Sequence, residues 1–144
     1  MSPKMMFMGE KDYQQYFLVN NYISKKYRTK IFLCKTIRNS NGLALSSRNK
    51  LLDKADLKTS SLITNELLKL KKILQKKNNL YDLSLKETNE QIQKSKKKLI
   101  DNFSIKIEYL ECRNLIALTT NLKNKPFKLF VAYYLNKVRL IDNF

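Results

Sequence analysis

Histidine is absent from the 144 residues. That removes the commonest metal ligand and the commonest general base. Cysteine occurs twice, as Cys34 and Cys112, far apart in the chain. Such a pair makes neither a disulfide framework nor a zinc site, and it suits a reducing cytoplasm. Glycine and proline number two each (Gly9, Gly42, Pro3 and Pro126), so each is an informative break. No apolar run approaches the roughly 20 residues that span a bilayer. The start Met-Ser-Pro-Lys-Met-Met-Phe-Met has no apolar core followed by small residues and makes a poor signal peptide.

Acidic residues are also scarce: 12 against 29 lysines and arginines, a net charge of +17. A hydrophobic content of 43% is nevertheless that of a chain that folds. The length suits one domain or two small pieces. An excess of positive charge invites nucleic acid, because basic side chains release counterions from phosphates. Here lysine far outnumbers arginine, asparagine and isoleucine are abundant, and the densest basic runs, 69–77 and 94–98, fall inside helical patterns. This favours a solvated basic face over a nucleic-acid surface. Attraction of small anionic substrates is the third reading.

Along the chain, the run Met5–Met8 reads as a strand that enters a helix of roughly residues 11–26 after Gly9. Lys30–Cys34 is a short apolar run suited to a buried strand, and 36–49 is a long polar loop. Asp53 and Asp56 suit a helix start. Ile63, Leu67, Leu70 and Leu74 then form one apolar helical stripe, broken at Asn78-Asn79. Leu85, Thr88, Ile92, Ser95 and Leu99 form a second, weaker stripe. Phe103, Ile105, Ile107 and Tyr109 alternate with polar residues as a half-buried strand does. Residues 127–134 and 137–141 read as a terminal hairpin turning at Leu135-Asn136, since asparagine tolerates the left-handed backbone.

Two loops carry residues that suit phosphate chemistry. Gly9-Glu10-Lys11-Asp12-Tyr13-Gln14-Gln15 lies where a strand meets a helix. There backbone N–H groups attract anions, a glycine admits close approach, and Lys11 adds a full charge. Asp12 suits a cation or a hydroxyl. Gly42-Leu43-Ala44-Leu45-Ser46-Ser47-Arg48-Asn49 places two hydroxyls beside a guanidinium. Taken alone, each is also ordinary capping or loop material. Together they hold both glycines, and the segment between them can form a helix and a returning parallel strand. Such a crossover puts both loops at the carboxyl ends of adjacent strands, where open α/β sheets bind ligands.

These motifs resemble those of the pantothenate synthetase (pantothenate–β-alanine ligase) family, part of the nucleotidyltransferase-like α/β superfamily. Gly9–Gln15 is similar to the family's Gly-Glu-Lys-Asp-(Tyr/Phe)-Gln-Gln. Arg38–Asn49 is similar to Arg-x-x-(Asp/Asn)-Gly-Leu-Ala-Leu-Ser-Ser-Arg-Asn. Val131–Asn143 is similar to the family's closing run. The resemblance implies a partial Rossmann-like α/β piece over 1–49. A small α+β lid over 50–144 follows, with helices packed on an antiparallel sheet. It implies an enzyme that activates pantoate with ATP and Mg2+ to a pantoyl adenylate, then passes the pantoyl group to β-alanine. Gly9, Glu10, Lys11 and Asp12 match the ATP-contacting stretch, with Lys11 on the phosphates. Ile37 falls where the backbone contacts adenine, Gln15 where pantoate binds. Leu45, Ser46, Ser47 and Arg48 match the second ATP loop. Lys11, Ser46, Ser47 and Arg48 are thereby the charge-stabilising catalytic set.

The family's nucleotide domain begins with a Met-Gly-x-Leu-His-x-Gly-His loop, and this chain has no histidine. Met8, Lys35 and Asn136 stand where the family usually has Phe, Pro and Gly. The chain therefore reads as the carboxyl-terminal half of such an enzyme, with the missing half or a second copy as its partner. The alternatives are an inactive fragment and a basic nucleic-acid-binding module. An exposed apolar patch is expected around Met5–Phe7, Tyr16–Ile23 and Ile31–Leu33, because a parallel sheet normally has both faces covered.

Overall fold

The computed structural model describes residues 3–81, 84–123 and 125–144. Close contacts divide the chain into two compact units, Met1–Arg38 and Asn39–Phe144.

The first unit is a strand–helix–strand crossover. Strand β1 (Met5–Gly9) leads through a 3₁₀ turn (Glu10–Asp12) into α1 (Tyr13–Leu18). A π-helical turn (Val19–Ile23) links it to α2 (Ser24–Tyr27). The helical stretch stops at Arg28, whose φ of 52° is left-handed. Strand β2 (Lys30–Cys34) then pairs parallel with β1 in the register Met5↔Lys30 to Gly9↔Cys34. The strand entries are tied together: Thr29 Oγ1 donates to the Pro3 carbonyl at 2.8 Å, and the Lys30 N–H to that of Lys4 at 3.0 Å. Phe7 and Phe32 stack with ring centroids 5.1 Å apart.

This unit buries little. Tyr13 is its one buried aromatic or aliphatic side chain among the described residues. Met5, Phe7, Leu18, Tyr22, Ile23 and Leu33 are exposed, Phe7 at 67%. Met6, Tyr16, Phe17, Val19, Ile31 and Phe32 are half-buried, so the expected patch is open in part rather than throughout. On β1 the two faces differ: Met5 and Phe7 are open, Met6 and Met8 half-covered.

The second unit holds the core. Helices α3 (Lys54–Tyr81) and α4 (Leu85–Phe103) precede an antiparallel sheet of β3 (Lys106–Asn114), β4 (Phe127–Leu135) and β5 (Val138–Asn143), with β4 central. The stripe Ile63, Leu67, Leu70 and Leu74 is buried as its spacing requires. It joins Ile92 and Leu99 of α4 and alternate residues of β4, from Phe127 and Leu129 to Val131, Tyr133 and Leu135, in one cluster. Asp53 caps α3, its Oδ1 accepting the Asp56 N–H at 2.7 Å. Ser84 and Glu87 cap α4 reciprocally, Ser84 Oγ accepting the Glu87 N–H and Glu87 Oε2 the Ser84 N–H. Asn114, fully buried, gathers the following loop: its amide donates to the Thr119 and Asn121 carbonyls, and its Oδ1 accepts from the N–H groups of Ile116 and Ala117.

Several details differ from the sequence reading. Helix α3 continues through Asn78 and Asn79 to Tyr81. The intrinsic penalty of an asparagine inside a helix is below about 1 kcal/mol, and packing overrides it; Asn78 is buried. Phe103 ends α4 instead of opening a strand. A bulge between Ile107 and Tyr109 shifts the alternation by one, so Leu110 and Cys112 join Ile105 and Ile107 in the core. The hairpin turns at Asn136-Lys137 between paired Leu135 and Val138, with Asn136 left-handed at φ 52°. The segment after Arg38 packs with the second unit: Leu43, Ala44 and Leu52 are buried. Gly42, at φ +82°, lies against α3, where an added Cβ would meet Thr64 Cγ2 at 3.6 Å.

Lys71 crosses the edge of this core. Its ammonium donates to the Phe127 carbonyl at 2.5 Å and lies 3.6 Å from the centroid of the Phe127 ring. Burial draws its pKa down to about 8, while burial pushes the Cys112 thiol up to about 12.

Truncating Leu67 (Leu67→Ala) is expected to cost about 2–5 kcal/mol in urea unfolding. Leu62→Ala, on the exposed side of the same helix, should stay within about 0.5 kcal/mol. The Lys71 amine releases its proton near pH 8 when folded and near 10.5 when unfolded, so the unfolded chain holds more protons in between. Stability therefore rises from pH 8 to 9. Above 9 the unfolded Cys112 ionises while the folded thiol stays protonated, which opposes the gain. Urea midpoints at pH 7, 8 and 9 should show the rise in the native chain and lose it in Lys71→Met.

Candidate functional site

Parallel pairing sets the first of the two candidate loops. Gly9 is registered with Cys34, so Glu10–Asp12 and Lys35–Ile37 both leave from the carboxyl ends of adjacent strands. Of the residues singled out in the sequence, Gly9, Glu10, Lys11, Asp12 and Ile37 are thereby gathered at one end of the β1–β2 pair. A side chain bridges the two departing segments: Glu10 Oε2 accepts the Thr36 N–H at 3.4 Å. Tyr13 anchors the helix that follows. It is buried, its ring is 5.4 Å from that of Tyr16, and burial raises the pKa of its hydroxyl, with smaller contributions from Tyr16 and Glu10. Lys11 is half-buried beside this anchor in sequence, whereas Asp12 and Gln15 are exposed. Ile37 is 71% exposed.

Gly9 is informative by what it does not need. Its φ of −71° and ψ of 135° are extended backbone open to any residue. An added Cβ would meet nothing within 4 Å. Neither strain nor crowding within the chain calls for glycine there.

The other candidate loop lies in the second unit. Leu43 and Ala44 are buried and Leu45 is exposed. Ser46 is half-buried, and Ser47 and Arg48 are exposed. The loop is held open by its own hydrogen bonds. Ser46 Oγ accepts the Arg48 N–H at 3.3 Å and starts a 3₁₀ turn over Ser47–Leu51, which packs on β5. Asn49 Nδ2 donates to the Ala44 carbonyl at 3.0 Å, closing the loop from inside. The Ser46 oxygen is thus engaged as acceptor while its O–H remains a donor, as does that of Ser47. Two hydroxyls and a guanidinium within three consecutive residues match an anion with several oxygens.

Sequence reasoning passed over the residues that hold this loop. Asn39 Oδ1 accepts the N–H groups of Asn41 and Leu43, each at 3.0 Å, and so shapes the turn before Gly42. An asparagine followed by a glycine three residues on is a turn signal that could have marked it. Asn49 has no such local signature. Among the described residues, no three or more Cys, Asp or Glu side chains come together in a group that could hold a metal ion. No described helix is long and apolar enough to cross a membrane.

The family model described as pantoate-beta-alanine ligase matches residues 1–144. A pantothenate synthetase of Flavobacterium psychrophilum is 34% identical over 99% of this chain and 49% of its own length. The crystal structure of pantothenate synthetase from Thermus thermophilus superposes with a TM-score of 0.78 at 25% identity, covering 99% of this chain and 49% of that one. A pantoate-beta-alanine ligase from Francisella tularensis, complexed with beta-gamma ATP and beta-alanine, gives a TM-score of 0.61 at 31% identity over 99% of this chain and 44% of its own. The chain spans about half the length of the curated relatives it matches, which fits a carboxyl-terminal fragment. Matched from end to end by the family model, this chain belongs to the pantoate–β-alanine ligase family.

Proposed function

We propose that this chain supplies the two nucleotide-binding loops and the carboxyl-terminal lid of a pantothenate synthetase acting in the cytoplasm. In this reading, residues 1–49 carry the remnant of the nucleotide-binding domain and 50–144 the lid. The observation that carries it is the bare backbone at Gly9. A residue with ordinary dihedrals and empty space over its Cα leaves room for a ligand to lie against the peptide, at the strand ends where α/β sheets take nucleotides. The complex of the Francisella relative with a nucleotide and β-alanine supports the substrate class.

The proposed reaction has two displacements. A pantoate carboxylate oxygen attacks the α-phosphorus of ATP, and the bond to pyrophosphate breaks. The β-alanine amine then attacks the acyl carbon of the pantoyl adenylate. It loses a proton, and AMP leaves, giving pantothenate. The displacement at phosphorus demands no strong base; what matters there is alignment and neutralising charge on the phosphate oxygens. The Lys11 ammonium, the Ser46 and Ser47 hydroxyls and the Arg48 guanidinium are donors of that kind. Glu10 steadies the Lys35–Ile37 segment through Thr36, so that the Ile37 backbone can meet adenine, with Leu45 on the second loop beside the nucleotide. Asp12 suits a nucleotide hydroxyl, and Gln15 orients pantoate without competing as a nucleophile. These donors fit phosphate oxygens, not a bare divalent cation; Mg2+ does not find a protein cage among the described residues.

A second reading, an inactive fragment, is favoured by the open Met5 and Phe7 side chains of the two-stranded sheet. AMP formation from ATP, pantoate and β-alanine separates the two when measured for the chain alone and with the remaining half of a family enzyme. Activity in the combined sample supports the proposal; no AMP in either sample overturns it. Gly9→Ala should leave the unfolding free energy in urea within about 0.5 kcal/mol of the native value, because its backbone and surroundings accept a methyl group. It should lower AMP formation at least about tenfold by holding the nucleotide off the peptide.

A further inference from the structure

A cleft of the second unit has no part in the chemistry above. It holds about 870 Å³ between the 39–42 turn and the first turns of α3. Its walls are built before any ligand arrives. Asn39 closes the turn by two side-chain bonds, and the Gly42 N–H returns to the Asn39 carbonyl at 2.9 Å. The left-handed Gly42 lies on α3 near Thr64 and Asn65.

The charge of this cleft is one-signed. Lys54 and Lys58 line it four residues apart on one helical face, where two side chains reach a common point. Neither has a carboxylate partner among the described residues, and no carboxylate lines the cleft. The acids that flank Lys54 in sequence, Asp53 and Asp56, do not line the cleft. Asp53 accepts the Asp56 N–H, and both oxygens of Asp56 accept from Asn136 Nδ2, at 2.9 and 3.0 Å. Ser61 is buried at the cleft, its hydroxyl proton already given to the Leu57 carbonyl at 3.0 Å. Ser40 and Asn65 add neutral donors, and Leu57 and Leu62 add an apolar wall.

We infer that this cleft binds a small phosphorylated organic molecule. Its phosphate sits between Lys54 and Lys58, and its carbon skeleton lies against Leu57 and Leu62. Two ammonium groups match a dianion better than a single carboxylate, and lysine binds phosphate as a point charge. The apolar wall distinguishes an organic phosphate from the bare ion. The site lies wholly within Asn39–Phe144 and involves none of the residues assigned to the nucleotide.

Titration of the full chain with phenyl phosphate, followed by amide NMR, tests the inference. Phenol and inorganic phosphate at matched ionic strength serve as comparison probes. Saturable shifts at 40–42 and 57–62 are expected, with inorganic phosphate at least threefold weaker and phenol without effect. The paired change Lys54→Gln, Lys58→Gln should weaken phenyl phosphate at least tenfold at these amides and leave the remaining spectrum folded. Arg48→Ala should leave binding at these amides intact, which separates this cleft from the proposed nucleotide loop. Shifts that fail to saturate, that spread over all lysine-rich helical surfaces, or that persist in the doubly substituted chain would overturn it. So would equal binding of phenyl phosphate and phenol.

Discussion

The apolar stripe of α3 laid against the central strand β4 is the contact on which the rest of the molecule depends. Ile63, Leu67, Leu70 and Leu74 are withdrawn from water together with Leu129 and Val131, and each such side chain contributes about 1.5–3 kcal/mol. Everything else in Asn39–Phe144 is arranged around this pairing. Helix α4 completes the cluster with Ile92 and Leu99, and the 3₁₀ turn after Ser46 packs on the edge strand β5. Leu43, Ala44 and Leu52 are buried on either side of that turn. The Ser46–Arg48 donors are therefore presented by a segment whose two ends are anchored. That is how a polar loop acquires a definite shape without being buried itself.

Met1–Arg38 works by another principle. It has almost no interior, and its order comes from a backbone ladder, a stacked Phe7–Phe32 pair and the two bonds that join residues 3–4 to 29–30. A two-stranded sheet is marginal by itself in water. Its parallel pairing still has a chemical consequence: it sends the Gly9–Asp12 turn and the Lys35–Ile37 segment off the same end of the sheet. The less buried unit is thus ordered by its backbone ladder, and the burial that stabilises is carried by the other.

The charge of the chain divides in the same way between general and specific roles. Half of its lysines lie on α3 and α4, where the ion pairs of Glu66 with Lys69 and Lys98 are exposed and contribute little. The cations proposed to meet ligands, and the buried Lys71, are set apart by their surroundings rather than by density of charge. Lys11 follows a strand end, Arg48 sits on a capped turn, Lys71 is pressed onto Phe127, and Lys54 and Lys58 share a cleft with no acid in it.

Residue order alone determined the elements whose signals are local. The helical stripe 63–74, the Asp53 start, the β1–helix–β2 crossover and the left-handed Asn136 are legible because periodicity, capping and turn chemistry act within a few residues. The family motifs are legible too, being contiguous runs of side chains. What tertiary structure decided is whatever depends on partners distant in sequence. The β3 bulge that turns Leu110 and Cys112 inward, the passage of α3 through Asn78, the empty space over Gly9 and the cleft beneath the 39–42 turn belong to this class. So does the depressed pKa of Lys71, which arises only when the second residue of a contact pair 56 positions away closes over the amine. Pattern specifies which face a residue prefers; packing decides what that face meets, and so which backbone and which charge end up next to each other.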